Sequence, residues 1–320
     1  MLSCPYKHYL GYVKRLRLKK PVRPLYFGSD FHKLLEFRND KKGLKVALSE
    51  IKEKFYEMPA SWQSDLGEDY VQDIREIFTD YRRVYKDTPQ PHETERPFEI
   101  LIGYYKGEPV YFIGIIDELY KYKRHGEKFI KVGEHKTFNR APDLNTLVMN
   151  TQSSLYAKAT LLETGILPSS VIWDYIKSTP AKRPIWLEKT QRFSNAKSAD
   201  ITHYSWNRAC KEREIDDEKI LNQGLIYQSN ITNYYKRIEL DLHPGMVDSV
   251  WDGFVYTAKQ IVAHGEKNKT KNITMNCKWC NYRDICYAEF TGGDVDYLIK
   301  KNYEVKEDKV ESIEPIEEET

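Results

Sequence analysis

The chain has 320 residues and a mass of 37.9 kDa; 31% of its residues are charged and its mean hydropathy is −0.68. That length builds a sizeable core, and no apolar run approaches the ~20 residues a membrane helix needs. No basic-then-apolar leader opens the chain, so no signal peptide is read and a cytoplasmic protein is expected. The net charge of +2 hides a polarity, because from Glu304 onward Glu and Asp dominate and leave the body more basic than the total. A basic body suits a polyanionic ligand, and an acidic end is most often a disordered, solvating tail.

In chain order, residues 1–17 have the spacing of a short helix with Cys4 near its start, ended by Pro21 and Pro24. Helical periodicity follows over residues 25–37, 43–57 and 69–85, the last with Ile74, Ile77, Phe78, Tyr81 and Val84 on one face. A polar loop over 87–93 leads to strands predicted over 97–105, 110–122 and 129–137. A helix over 144–163, closed by Gly165 and Pro168, precedes a fourth strand over 170–177, rich in β-branched and aromatic residues. A helix between strands three and four implies a right-handed crossover onto a parallel neighbour. Residues 181–233 show no clean period and are read as helices and loops, including a helix over 201–213. A strand over 235–242 and an amphipathic helix over 244–263 complete the pattern. The expected class is α/β, a mixed sheet with helices on its faces.

The second and third strands carry the chemistry. They are joined by the polar turn Lys123-Arg124-His125-Gly126. The first reaches Asp117, and the second reaches Glu134, His135 and Lys136. Side chains alternate along a strand, so Glu134 and Lys136 share a face and His135 takes the other. Pairing through the turn brings Asp117 near Glu134. Two carboxylates beside an ammonium suit a magnesium or manganese ion with a water to activate. Glu-x-Lys is a common tripeptide, however, and the ordinary alternative is a surface ion pair.

Two further places bear on that site. Gln152 and Tyr156 stand four apart on one face of the following helix and can hydrogen-bond a phosphate or a water. His32 can give a metal a nitrogen ligand, with Glu36 one turn on either orienting it or facing solvent.

The five cysteines are Cys4, Cys210, Cys277, Cys280 and Cys286, an odd number that argues against a disulfide framework. Cys277, Cys280 and Cys286 place three soft ligands in ten residues, which implies a metal or cluster. Cys4 is preferred as the fourth thiolate over Cys210, which lies mid-helix. Such a site holds zinc or an iron–sulfur cluster and would clasp the two ends of the fold together.

Taken in order, these pieces resemble the RecB-like branch of the PD-(D/E)XK nuclease superfamily, specifically its iron–sulfur members. Those include AddB-type nuclease domains and CRISPR-associated RecB-like exonucleases. Cys4-Pro5 resembles the isolated first cysteine. Gly28…His32…Glu36, Gly114-Ile-Ile-Asp117, Glu134-His-Lys136 and Gln152-x-x-x-Tyr156 resemble the motifs that follow. Cys277, Cys280 and Cys286 have the family's spacing. The chain departs from the pattern in starting almost at Cys4, without the short Ser-bearing segment usual before it.

The resemblance implies a restriction-endonuclease-like nuclease domain over 1–290, with a core at 25–178, accessory helices at 181–263, a Cys-rich segment at 271–290 and an acidic tail at 291–320. It implies that His32, Asp117, Glu134 and the His135 carbonyl hold Mg2+ or Mn2+, that Lys136 positions the attacking water, and that Gln152 and Tyr156 orient water or DNA. It implies a [4Fe–4S] cluster on Cys4, Cys277, Cys280 and Cys286 joining the N- and C-terminal segments. The expected function is a DNA exonuclease acting on single-stranded or frayed DNA in recombination, repair or phage DNA processing, with a helicase or recombination protein as possible partner. Stretches such as 227–236 could stack bases and contact phosphates, but packing and solvated surface is the preferred reading residue by residue. Two other classes compete: a non-catalytic DNA-binding or structural subunit of a nuclease complex, and a zinc-stabilised interaction protein.

Overall fold

Alternation in the hairpin strands and 3.6-residue periodicity around them produce a sheet with helices on both faces. The computed structural model describes residues 4–20, 22–138, 143–194, 200–264 and 267–306. The chain divides into two units, Val22–Gly253 and a smaller one made of Met1–Pro21 with Phe254–Thr320. No described helix is long and apolar enough to cross a membrane.

The elements are α1 (Pro5–His8), which runs on as a π-helical turn over Tyr9–Val13, then β1 (Leu16–Leu18), α2 (Arg23–Glu36), α3 (Lys41–Glu57), α4 (Ala60–Leu66) and α5 (Tyr70–Val84). The expected single helix over 1–17 is therefore shorter and ends in a strand, and α4 was not foreseen. Next come β2 (Glu93–Tyr105), β3 (Glu108–Arg124), β4 (Glu127–Phe138), α6 (Leu144–Val148), α7 (Thr151–Thr164) and β5 (Ser170–Lys177). The helix expected over 144–163 is broken in two because the Asn150 side chain accepts from the Gln152 backbone N–H. Asn favours that capping role over a helix interior. A small ribbon, β6 (Trp186–Leu187) with β7 (Arg192–Phe193), leads to α8 (His203–Glu212), α9 (Glu218–Gln223), a 3₁₀ stretch over Gly224–Asn233, and β8 (Tyr235–Asp241). α10 (Pro244–His264), α11 (Arg283–Thr291), α12 (Val295–Asn302) and β9 (Tyr303–Val305) follow.

The larger unit is built on a five-stranded sheet of order β2-β3-β4-β5-β8. β4 and β5 are parallel; the other neighbours are antiparallel. One face is covered by α2, α3 and α5 through Phe31, Ile51, Ile74 and Ile77, which meet Ile176 and Tyr235 of the sheet. The other is covered by α7, where Ala159 joins Leu119, Val132 and Trp173. β5 is buried on both faces, as expected for a strand inside a layered α/β core. Both hairpin turns, Lys106-Gly107 and His125-Gly126, have positive φ at both residues, the twist that suits two-residue turns.

The strands of the catalytic-type hairpin part at its root. β3 pairs with β4 only from Glu118–Gly133 outward, whereas β4 beyond Gly133 pairs with β5. A fork opens there, with Asp117 on one side and Glu134 on the other.

The smaller unit has its own core of Tyr6, Leu10, Leu16, Ile285 and Tyr303. β1 and β9 pair antiparallel, Leu16 with Val305 and Leu18 with Tyr303. The segment 291–320, expected as a tail, is thus partly folded: α12 and β9 lie in it. Residues 307–320 lie outside the described residues. In the stretch 227–236, Tyr227, Tyr234 and Tyr235 are buried in the larger unit, which is the packing reading preferred for them, and they are not displayed for stacking.

Gly114 is required by packing. A Cβ there would lie 2.5 Å from Phe98 Cζ, and Phe98 is itself buried between strands and α7. Gly114→Ala should cost about 1–3 kcal/mol by urea unfolding, and Phe98→Leu in the same chain should recover part of it. An unchanged unfolding midpoint in Gly114→Ala would show that the contact yields freely.

Candidate metal centre and active site

Register builds the site. Thr94 pairs with Glu118 and Arg96 with Ile116, so Glu95 stands across from Asp117 on the adjacent strand. Glu95 holds φ at 48°, a left-handed value that costs a side-chain-bearing residue energy and is often kept at functional positions. His32 reaches in from α2, its Nδ1 3.2 Å from Glu95 Oε1 and 3.8 Å from Asp117 Oδ1. His32, Glu95 and Asp117 each offer a ligand atom, all within 4.8 Å of one another. Glu95 was not among the residues singled out from the sequence. Glu36 is exposed and takes no part.

Glu134 and Lys136 face this group from β4, as alternation required. Glu134 is buried and ion-paired with Lys136. Gln152 Nε2 donates to Glu134 Oε1 at 2.8 Å and to the Tyr156 hydroxyl at 3.1 Å, so the helix cap at Asn150 aims both residues at the carboxylate. Asp117 Oδ2 accepts the His135 backbone N–H at 2.7 Å, which ties the two sides of the fork.

The electrostatics follow from burial and like charge. Burial, then the charge of Asp117, pushes the Glu134 carboxyl up to about 7 against the pull of Lys136. Burial also raises Asp117. Burial and the Glu134 charge push the Tyr156 hydroxyl up to about 12. Burial lowers His32, but Glu95 and Asp117 outweigh it and leave its imidazole raised. Glu134 Oε2 is buried without a hydrogen-bond partner. Two mutually repelling carboxylates, an orphaned carboxylate oxygen and an imidazole fit a hard divalent cation.

His135 points to the opposite face, as expected. Its Nε2 lies 3.0 Å from Glu118 Oε1, close enough for an ion pair though poorly aligned for a hydrogen bond, and its Nδ1 is 3.6 Å from Asp174 Oδ2. Arg38 reaches Glu118 at 2.6 Å, while Arg237 and the Tyr81 hydroxyl hold Asp174. Burial disfavours the His135 cation, yet Glu118 and Asp174 raise it to about 9. Burial likewise opposes the Glu118 anion, but His135 and Arg38 bring it down to about 2. The backbone N–H of His135 ties the fork, and its ring packs edge-on against that of His32, centroids 5.9 Å apart.

In the smaller unit, Cys4, Cys277, Cys280 and Cys286 line one cavity of ≈ 270 Å³ with Tyr6, Leu10 and Tyr282. No three of the four sulfurs lie within 4.8 Å of one another. Cys4 and Cys277 instead turn to the carbonyls of Thr270 and Asn272. Burial, with Glu289 and the neighbouring cysteines against Lys271, pushes the Cys286 thiol up to about 11. Four thiols lining one cavity are soft donors of the kind a soft metal or cluster takes, though they are not gathered on a common point. Cys210 is buried in α8 of the larger unit and does not join them.

The five-stranded mixed sheet flanked by helices is that of a restriction-endonuclease-like fold. The chain matches the PD-(D/E)XK nuclease superfamily over residues 1–287 and belongs to it. Its members are nucleases that use divalent metals. Among solved structures it is similar to the crystal structure of SSO0001, at 12% identity, 82% coverage of this chain, 94% of that chain and a TM-score of 0.32. No curated protein matches.

Two outcomes test the geometry. Glu95→Gln should weaken Mn2+ binding roughly tenfold by titration calorimetry, in the range seen when groups around a metal are removed; unaltered affinity would remove Glu95 from the ligand set. The second concerns His135, whose raised pKa contributes stability that is full below about 6.5 and lost as pH rises through about 9. Metal-free protein should therefore lose up to about 3 kcal/mol over that window. Glu118, held low, contributes stability that is lost only as pH falls from about 4.5 toward 2. Glu118→Gln should destabilise at every pH and flatten the slope between pH 6.5 and 9 in thermal melts. A slope that persists in that variant would deny Glu118 its hold on the His135 proton.

Proposed function

We propose that the chain is a RecB-like exonuclease that hydrolyses phosphodiester bonds of single-stranded or frayed DNA in recombination, repair or phage DNA processing. The observation that carries this reading is the fork, where Asp117 and Glu134 converge in a buried setting beside His32 and Lys136. His32, Asp117, Glu134 and the His135 carbonyl are the assigned holders of Mg2+ or Mn2+, with Glu95 added from the geometry. Such an ion, when bound, lowers the pKa of a water and neutralises phosphate charge.

The remaining roles belong to side chains. Lys136 is ion-paired with Glu134; with a cation held by that carboxylate, its ammonium would be free to hold the attacking water against the phosphate. Gln152 fixes the Glu134 oxygen that it already touches. Tyr156, with its proton held firmly, donates to water or to a phosphate oxygen.

Glu134→Ala and Lys136→Ala should each reduce cleavage of end-labelled single strands by about 10²-fold or more, with the unfolding temperature retained. Chelation of Mg2+ or Mn2+ should stop the reaction. Cleavage surviving in both variants would sink the assignment. Clean DNA binding with no cleavage by the native chain under any metal would favour the second reading, a non-catalytic subunit of a nuclease complex.

The four-cysteine cavity is read as a [4Fe–4S] site whose first role is structural. The spacing of Cys277, Cys280 and Cys286 with a remote Cys4 supports this, as does their shared cavity. Cys4→Ser and Cys286→Ser should lose iron, brown absorbance and thermal stability together, while Cys210→Ser keeps all three. One equivalent of zinc without sulfide would identify the wrong metal, and iron retained in Cys4→Ser would identify the wrong ligand.

A further inference from the structure

The formal charge is divided unevenly between the two units. Residues 22–253 carry 34 Lys and Arg against 35 Asp and Glu. Residues 1–21 carry six Lys and Arg and no Asp or Glu; residues 254–306 carry nine against six. Residues 307–320 of the same unit, outside the described residues, carry one against seven. The cationic excess therefore belongs to residues 1–21 and 254–306, with Lys7, Lys271 and Arg283 at the cysteine cavity.

Exposed rings interleave with those cations. Lys7, Arg283, Tyr287 and Phe290 are among the residues that line the cavity. Trp279 ends the 3₁₀ stretch Met275–Trp279, between Cys277 and Cys280, with Lys278 over its ring at 5.6 Å. Trp279 is 71% exposed, Tyr287 68% and Phe290 60%. Lys7, Lys278 and Arg283 are exposed and form no ion pair among the described residues. A core of this unit already exists without these rings, so their exposure is not the remainder of poor packing. Cations for phosphates and flat rings for bases are the two components of a single-strand binding surface, and neither alone would select it.

We infer that the cysteine-bearing unit has its own surface for single-stranded nucleic acid, made of Lys7, Lys278 and Arg283 with Trp279, Tyr287 and Phe290. The choice of ligand rests on the nuclease reading, and the surface adds a second contact outside the fork. Rings stack on successive bases without regard to sequence, while the cations follow the backbone, so binding should be sequence-tolerant and strongly salt-dependent.

The test uses the full chain carrying Lys136→Ala, so that no cleavage intervenes, and a fluorescent oligothymidylate of roughly 20 nucleotides, longer than one site of this kind. Trp279→Ala with Phe290→Ala should weaken binding at least tenfold by anisotropy. Lys7→Glu with Lys278→Glu and Arg283→Glu should do the same and make the log–log salt slope shallower by about 2, the value for three lost phosphate contacts. Lys128→Glu with Lys189→Glu, reversals in the larger unit, should leave binding unchanged. If the aromatic variant is found unstable by thermal melt, the charge variant decides. Parent-like affinity in the charge variant overturns the surface, as does equal loss from the larger-unit reversals. Unchanged oligonucleotide binding with loss of association to a protein also overturns it and makes the face a protein-docking site. Because the readout is binding, an absence of cleavage by the native chain would defeat the nuclease reading without touching this result.

Discussion

Two buried carboxylates that repel each other, Asp117 and Glu134, set the terms for the larger unit. They approach because β3 and β4 part just where each strand delivers its acid. Everything around them manages that repulsion. The His135 N–H and His32 act on Asp117, Lys136 and Gln152 act on Glu134, and Glu134 keeps a proton up to about neutrality. A divalent cation held by these carboxylates would take the place of that proton, and its binding near pH 7 would then be linked to pH.

The strand that carries Glu134 also carries His135 into a second charged cluster behind the sheet. Glu118, Asp174, Arg38 and Arg237 surround it in the interior. Removing one partner from such a cluster leaves an uncompensated buried charge, which costs far more than the intact set contributes. This is a stiff mounting for β4. The acid and the lysine on one face are held in place by the ion pairs on the other.

Much of this was legible in the sequence, for physical reasons. A period of two separates Glu134 and Lys136 from His135 in any strand, and the His125-Gly126 turn brings position 117 opposite 134 by simple counting. Helical stripes such as Ile74, Ile77 and Tyr81 pack as their spacing dictated. Glu95 was hidden by one residue. Counting back from the Lys106-Gly107 turn puts Arg96 opposite Asp117, and the irregularity between Leu101 and Gly103 shifts the register so that Glu95 takes that place. Nothing in the local pattern marks that bulge except Gly103. The break between α6 and α7 depends on a cap that a continuous apolar pattern conceals. The accessory segment failed for a different reason: Trp206, Phe193 and Tyr227 form a small separate core whose contacts come from far along the chain and leave no period.

The ribbon of β1 with β9 has a consequence for how the molecule assembles. Leu16, Arg17 and Leu18 find their strand partners only at Tyr303, Glu304 and Val305. A growing chain makes the first strand well before the second, with the whole of the larger unit between them. The larger unit, whose elements are consecutive from Arg23 to Asp241, can fold while residues 1–21 wait. Closing so long a loop is slow, although each doubling of its length adds only about 0.6 kcal/mol of entropy. The waiting segment carries Cys4, a thiol set apart by more than 270 residues from the three it meets in the cavity. During that interval the N-terminal strand is an unpaired edge, and its run of Lys and Arg is the kind of charge that keeps such an edge from pairing with other chains.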